Sequence, residues 1–202
     1  MANQGTVNTA DVSLAQQAAD LIDARVSDLA KPGQLSLKAL AGDLKTSPTY
    51  LQKVFSRVVG ISPWDYGAEK RAQAFRAQLK ASPSVTDAIY AAGYGSPSRV
   101  YEQSGFLLGM SPASYAKFGQ GAEITFEIVD SPLGRLLVAA TQVGICFLSF
   151  GDSDAELSSI LAAEFKAADS LRRDEVGLRA VLADVVDHLA TGTMPSQQLA
   201  LD

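Results

Sequence analysis

The sequence predicts an all-α N-terminal domain, two helix-turn-helix units joined by a long helix, followed by a small α/β subdomain. Three observations carry this. Apolar residues recur at helical spacing through the first 118 residues and turn to alternation from Ile124 onward. A helix–turn–helix segment recurs 49 residues further along the chain. Charge divides with the pattern: residues 1–119 carry 12 Lys and Arg against 9 Asp and Glu, whereas 120–202 carry 5 against 13. The 202 residues, 47% hydrophobic and 19% charged, can bury a core, which excludes wholesale disorder. No apolar run approaches the ~20 residues of a membrane span. One Cys and one His exclude an internal disulfide and a thiolate-rich zinc site. The expectation is a cytoplasmic protein with no metal, no cofactor and no membrane partner. Its expected divisions are a disordered tail over 1–11, a helical domain over 12–118 and a second subdomain over 119–202.

Leu14, Ala18, Leu21, Ile22 and Leu29 make residues 12–30 an amphipathic helix, ended by Lys31-Pro32-Gly33. Ser36 can cap a second helix with Leu37, Leu40, Ala41 and Leu44 as its buried stripe. After the turn Lys45-Thr46, Ser47-Pro48 starts a third, because the hydroxyl accepts from an unpaired amide and proline at the first position loses nothing. This helix buries Leu51, Val54, Phe55 and Val58 and stops at Gly60. Ser62-Pro63 begins a long fourth helix, with Trp64, Ala68, Ala72, Phe75 and Leu79 as its apolar stripe. Trp64 is accordingly expected in the core.

Shifted by 49 residues, Ser47-Pro48 falls on Ser96-Pro97, Gly60 on Gly109, Ser62-Pro63 on Ser111-Pro112 and Tyr66 on Tyr115. Upstream, Leu37, Leu40, Ala41 and Leu44 align with Val85, Ala88, Ile89 and Ala92. A single helix pair is a common packing element. The duplication, the excess of 8 basic over 3 acidic residues in 37–80, and the composition of one helix face together point to nucleic acid. In helix 48–59 the side away from the core holds Thr49, Lys53 and Ser56, flanked by Gln52 and Arg57, without an acid or a large aliphatic residue. Gln52 and Lys53 can reach base edges, Arg57 can pair with phosphate, and Ser47 stands at the helix start. Such a face suits a helix entering the major groove of double-stranded DNA. The second copy, helix 97–108 behind Ser96, offers Ser98, Arg99 and Gln103 but also Tyr101 and Glu102. The first copy is expected to dominate affinity, while the second adjusts register or contacts the transcription machinery, RNA polymerase included. At ~1.5 Å per residue, helix 63–80 spans roughly 27 Å, enough with its turns to hold two reading helices about one DNA turn apart.

In the acidic second half, Ile124, Phe126 and Ile128 alternate with Thr125 and Glu127 as a half-buried strand. Pro132 and Gly134 turn the chain into a second strand at Leu136–Ala140, and Ile145–Phe150 form a third. Ser153 with Glu156 is a capping box opening a helix through Leu157, Ile160, Leu161 and Phe165. Residues 175–190 form another, with Leu178, Val181, Leu182, Val185 and Leu189. Five short elements leave little room for a ligand cavity.

Leu51-Gln52-Lys53-Val54-Phe55, Gly60-Ile61-Ser62-Pro63-Trp64-Asp65-Tyr66 and Arg71 resemble the AraC/XylS-type DNA-binding domain. Ser84-Val85-Thr86-Asp87-Ala88-Ile89-Tyr90-Ala91-Ala92-Gly93-Tyr94, Leu108-Gly109-Met110-Ser111-Pro112, Leu133-Gly134-Arg135 and Gly144-Ile145-Cys146 resemble the Ada-type family of bifunctional regulators and alkylation-repair methyltransferases. The resemblance runs over about residues 12–190. It implies promoter binding and transcriptional activation, with base-reading positions on Thr49, Gln52 and Lys53 and, in the second copy, near Ser98, Arg99 and Glu102. It also implies that the second half is the ribonuclease-H-like N-terminal subdomain of the alkyltransferases, truncated before their catalytic part. The family's zinc-holding domain and its Pro-Cys-His-Arg acceptor motif are absent from these 202 residues. The expectation is therefore a regulator without methyl transfer of its own and with no catalytic residue; the alternative is a fragment of a methylated-DNA–protein-cysteine methyltransferase. Cys146, between Ile145 and Phe147, is expected as a buried inert thiol, since a reactive one needs a base, a helix N-terminus or cationic neighbours. His188 beside Asp187 is expected on the surface.

Overall fold

A computed structural model describes residues 8–27, 35–174 and 176–191. The chain divides between Ser96 and Pro97 into two compact units. A helix-rich N-terminal region is followed by a small mixed four-stranded sheet with helices.

The first unit contains α1 (Thr9–Ser27), α2 (Leu37–Asp43), α3 (Pro48–Val59), α4 (Pro63–Ala81) and α5 (Val85–Ala91). Four of these helices start on serine. Ser36, Ser47, Ser62 and Ser84 accept the backbone N–H of Ala39, Tyr50, Asp65 and Asp87, respectively, at 3.1–3.3 Å. α1 begins ahead of the expected residue 12, because Asn8 accepts the backbone N–H of Asp11 at 2.7 Å and opens the helix there. Residues 1–7 of the expected tail, Leu29 and the Lys31-Pro32-Gly33 stop lie outside the described residues. Ala15, Ala18 and Ile22 of α1, Leu40 and Ala41 of α2, and Leu51 and Phe55 of α3 form one buried cluster. The Phe55 ring meets Tyr66 edge-on, with centroids 5.6 Å apart.

The core face of α4 differs from the expected stripe. Pro63, Gly67, Ala72, Phe75 and Leu79 are buried, whereas Ala68 is exposed and Trp64 is 64% exposed. In its first turns α4 faces inward through Pro63 and Gly67, where an added Cβ would stand in contact, 3.4 Å, with Ile22 of α1. At ~100° per residue Trp64 and Ala68 share the angular sector of Phe75 and Leu79, but α4 packs on both α1 and α5, and in its N-terminal half that sector is exposed. One side of the Trp64 ring is covered instead by the Arg71 guanidinium, 5.7 Å from its centroid.

The second unit contains α6 (Pro97–Glu102), α7 (Ser104–Leu108), α8 (Pro112–Ala116), β1 (Glu123–Ser131), β2 (Gly134–Ala140), β3 (Ile145–Gly151), α9 (Asp154–Glu164), β4 (Ser170–Arg173) and α10 (Arg179–Thr191). The single helix expected over 97–108 is broken at Gln103 into α6 and α7. Ser104 donates to the Tyr101 carbonyl at 2.8 Å, and a serine–glycine pair follows the break, both common causes of a helix kink. α7 then packs on β3, and the Thr141 hydroxyl donates to the Gly109 carbonyl.

The sheet order is β3-β2-β1-β4. β1 pairs antiparallel with β2, and β2 with β3; β4 lies parallel to β1 through Glu123–Ser170 to Phe126–Arg173. β4 has no counterpart in the expected order of three strands and two helices. It is four residues long and carries one apolar side chain, Leu171, so alternation cannot reveal it. Leu136, Val138 and Ala140 point to one face of the sheet and are covered by Leu178, Val181 and Leu182. Ser153 caps α9 by accepting from Glu156 at 3.2 Å, while the Glu156 carboxylate accepts the Asp152 N–H at 3.2 Å. On α9, Leu157, Leu161 and Phe165 are buried, but Ile160, expected in the same stripe, is exposed.

Candidate nucleic-acid interface

α3 is anchored along one side and bare along the other. Leu51, Val54 and Phe55 are buried, and the outward side chains of Thr49, Gln52 and Lys53 are exposed, with Ser56 half-buried between the two faces. Ser47 is exposed at the helix start, its oxygen committed to the cap and its hydrogen available to an acceptor such as phosphate. At the far end Gly60 takes φ +90°, a left-handed conformation suited to glycine, and its N–H closes on the Ser56 carbonyl at 3.0 Å. The helix is thus a twelve-residue rod, capped at both ends, with Thr49, Gln52 and Lys53 on its outer face.

Arg57 is not a simple phosphate donor in waiting. Its Nη2 lies 2.5 Å from a carboxylate oxygen of Asp11, a residue buried in the first turns of α1. The other oxygen of Asp11 accepts the Tyr50 hydroxyl at 2.9 Å. That hydrogen bond raises the Tyr50 phenol above its ordinary value. One buried carboxylate therefore holds α3 by both its first and its last turn. Sequence reasoning missed Asp11 and Tyr50 because the partners are 39 and 46 residues apart, and no local pattern joins them.

The second expected reading helix has a different setting. Ser98 and Arg99 are exposed on α6, and Gln103 is exposed at the break, but α6 is only six residues long. Ser96 is half-buried and ends the first compact unit, whereas Ser98, Arg99 and Gln103 belong to the second.

Cys146 is buried in β3, and desolvation pushes its thiol up to about 12. His188 is half-buried on α10. No group of three or more His, Cys, Asp or Glu suited to a metal ion occurs among the described residues, and no helix among them is long and apolar enough to cross a membrane.

Residues 40–117 match a family described as a helix-turn-helix domain, of AraC type. Residues 124–187 match the ribonuclease-like domain of 6-O-methylguanine DNA methyltransferase. Over 164 residues the chain is 32% identical to the bifunctional transcriptional activator/DNA repair enzyme Ada of Escherichia coli (strain K12), covering 80% of this chain and 46% of that protein. The chain fits an Ada-like protein. Over 147 residues the Ada-like chain is also 32% identical to the regulatory protein ada of Salmonella typhimurium, covering 70% of this chain and 42% of that one. The melibiose operon regulatory protein of Escherichia coli is 32% identical over 93 residues, 46% of this chain and 31% of its own length. The Ada-like chain thus spans less than half the length of these curated relatives. No solved structure matches it.

Proposed function

We propose that this chain is a sequence-specific DNA-binding transcriptional regulator of the Ada-like AraC class, linked to the DNA alkylation response and acting in the cytoplasm. The observation that carries the reading is the outer face of α3: Thr49, Gln52 and Lys53 exposed together on a helix held by fully buried Leu51 and Phe55. Its position inside the segment that matches a helix-turn-helix family adds support. In this reading Gln52 and Lys53 meet base edges in the major groove, and Thr49 and Ser56 allow close approach. Ser47 serves a flanking phosphate, and Arg57 becomes a phosphate donor once it leaves Asp11. A second helix-turn-helix, built with Ser96, Ser98, Arg99 and Gln103, adjusts register or meets RNA polymerase.

The functional division falls at 118/119, a boundary supported by the family matches over 40–117 and 124–187. The second part carries no methyl transfer by Cys146. A methyl acceptor must be a thiolate within reach of DNA, and this thiol is buried in a strand with its proton held to about 12.

The test is selection of duplexes from a random pool, followed by fluorescence anisotropy on the selected site. Gln52→Ala and Lys53→Ala are each expected to cost about 1–3 kcal/mol on that site and much less on random duplex. Equal losses on both would make them phosphate contacts, and absence of any selected site would overturn the regulator reading. Incubation with O6-methylguanine duplex is expected to leave Cys146 at its unmodified mass.

A further inference from the structure

Beside the polar outer face of α3 stands a large ring. Tyr50, the third residue of the helix, is 49% exposed, with Thr49 before it and Lys53 one turn on. It is held at both ends. Its backbone N–H donates to the Ser47 hydroxyl oxygen at 3.2 Å, and its own hydroxyl donates to the buried Asp11 carboxylate at 2.9 Å. At ~100° per residue, Tyr50 leaves the helix about 60° round from Lys53, on the flank it shares with Arg57. A half-exposed ring fixed in this way has given up its rotamer freedom before any partner arrives, so packing against it costs little further entropy.

The inference rests on the reading of α3 as a DNA-binding helix, and within that reading chemistry narrows what Tyr50 can touch. Its one donor hydrogen is spent on Asp11, so it is not available to phosphate or to a base acceptor. The same hydrogen bond raises the phenol, which stays protonated and brings no charge toward the duplex. The hydroxyl end of the ring is turned toward α1, where Asp11 is 4% exposed. What Tyr50 offers a partner is therefore apolar ring surface. The apolar group that distinguishes one base from another in the major groove is the C5-methyl of thymine. The geometry points to Tyr50 as a specificity-determining residue, its ring packed on a thymine methyl at the edge of the segment that Gln52 and Lys53 meet. It selects a thymine there by contact alone, without a hydrogen bond to the base.

The experiment is a methyl scan of the duplex selected from the random pool. Each thymidine is replaced singly by deoxyuridine, which removes the methyl group and leaves the hydrogen-bonding edge unchanged, and binding of the full chain is followed by fluorescence anisotropy. At one thymine the replacement is expected to weaken binding about fourfold, the value of one buried methyl group. Tyr50→Ala should bind the thymidine and deoxyuridine duplexes equally at that position, whereas Tyr50→Phe keeps the ring and should keep the preference. A selected site with no thymine sensitive to the replacement would overturn the proposal without recourse to any variant. Sensitivity that survives Tyr50→Ala would overturn it too. So would a Tyr50→Ala loss equal on selected and random duplexes, since the ring would then lie on the sugar–phosphate wall. A preference lost in Tyr50→Phe as fully as in Tyr50→Ala would assign it to the hydroxyl and overturn the ring contact. All these outcomes leave sequence-specific binding in place; failure to select any site would instead remove the DNA reading, and this inference with it.

Discussion

Asp11→Asn tests how the reading helix is held and what Arg57 does when released. The carboxylate is 4% exposed and accepts from Tyr50 at 2.9 Å and from Arg57 at 2.5 Å. Asparagine keeps the shape and an oxygen for the Tyr50 hydroxyl but removes the charge that pairs with Arg57. A charge-assisted hydrogen bond contributes about 1.5–3 kcal/mol when sheltered. Arg57 is 42% exposed, so solvent screening moves the expected loss to about 1–2 kcal/mol. Urea unfolding followed by circular dichroism should show a lower midpoint with an unchanged slope. DNA binding should change in the opposite sense. With its carboxylate partner gone, the Arg57 guanidinium can pair with phosphate, and the log–log salt dependence should steepen by about 0.9, the value of one added phosphate contact. Adding Arg57→Ala to the variant should return the slope to the wild-type value. An unchanged midpoint would show that the Asp11–Arg57 pair contributes nothing to holding α3. An unchanged salt slope would show that Arg57 does not reach the duplex even when free.

Three further outcomes follow from the packing. Native Cys146 should resist maleimide at pH 8 and react after denaturation, because burial holds its proton to about 12 against an ordinary 9.0. The sign of the linked pH effect is fixed: the unfolded chain loses this proton first, so the contribution is intact below pH 9.0 and is lost as pH rises toward about 12. Gly109→Ala should destabilise the second unit by about 2–3 kcal/mol or more, measured as a fall in Tm, since Gly109 sits at φ +62° and an added Cβ would lie 2.5 Å from the Ile145 carbonyl. A neutral result there would mean that the α7–β3 contact opens easily. Phe55→Ala should cost about 3–5 kcal/mol by leaving a cavity beneath α3 and Tyr66, and a loss below about 1 kcal/mol would refute the assigned anchor.

Much of this architecture was legible in local chemistry. Serine followed by proline marks the start of α3, α4 and α8, and the structure puts the serine oxygen on the expected amide each time. The three antiparallel strands were legible because alternation and glycine turns are properties of neighbouring residues. What escaped was decided by partners distant in sequence. β4 exists as a strand because β1 offers it a parallel edge, and its own four residues say almost nothing. Trp64 is exposed although it shares the helical sector of Phe75 and Leu79, because what covers each turn of α4 depends on where α1 and α5 pack along it. On the candidate interface, Thr49, Gln52 and Lys53 were recognisable from the helical period alone. The engagement of Arg57 by Asp11 was not, because it depends on where α1 lies against α3.

The same reasoning explains why two copies of one sequence pattern present different surfaces. At the shift of 49 residues, Phe55 corresponds to Ser104, Lys53 to Glu102 and Arg57 to Phe106. Phe55 is fully buried and pins the middle of α3; Ser104 has no ring to bury and turns its hydroxyl back to Tyr101, where the helix breaks. Beyond the break the chain finds a different anchor. A Cβ at Gly105 would stand 3.1 Å from Val143, and Leu107 and Leu108 are buried. The cost falls on the outer face, which keeps Ser98 and Arg99 but exchanges two cations for a carboxylate and an exposed phenyl ring. A surface with that balance attracts phosphate weakly. On these grounds the proposed DNA contact concentrates on α3, and Arg99→Ala should flatten the salt dependence by no more than about 0.9, one phosphate's worth. A larger change would mean that α6 carries more of the binding than its charge allows.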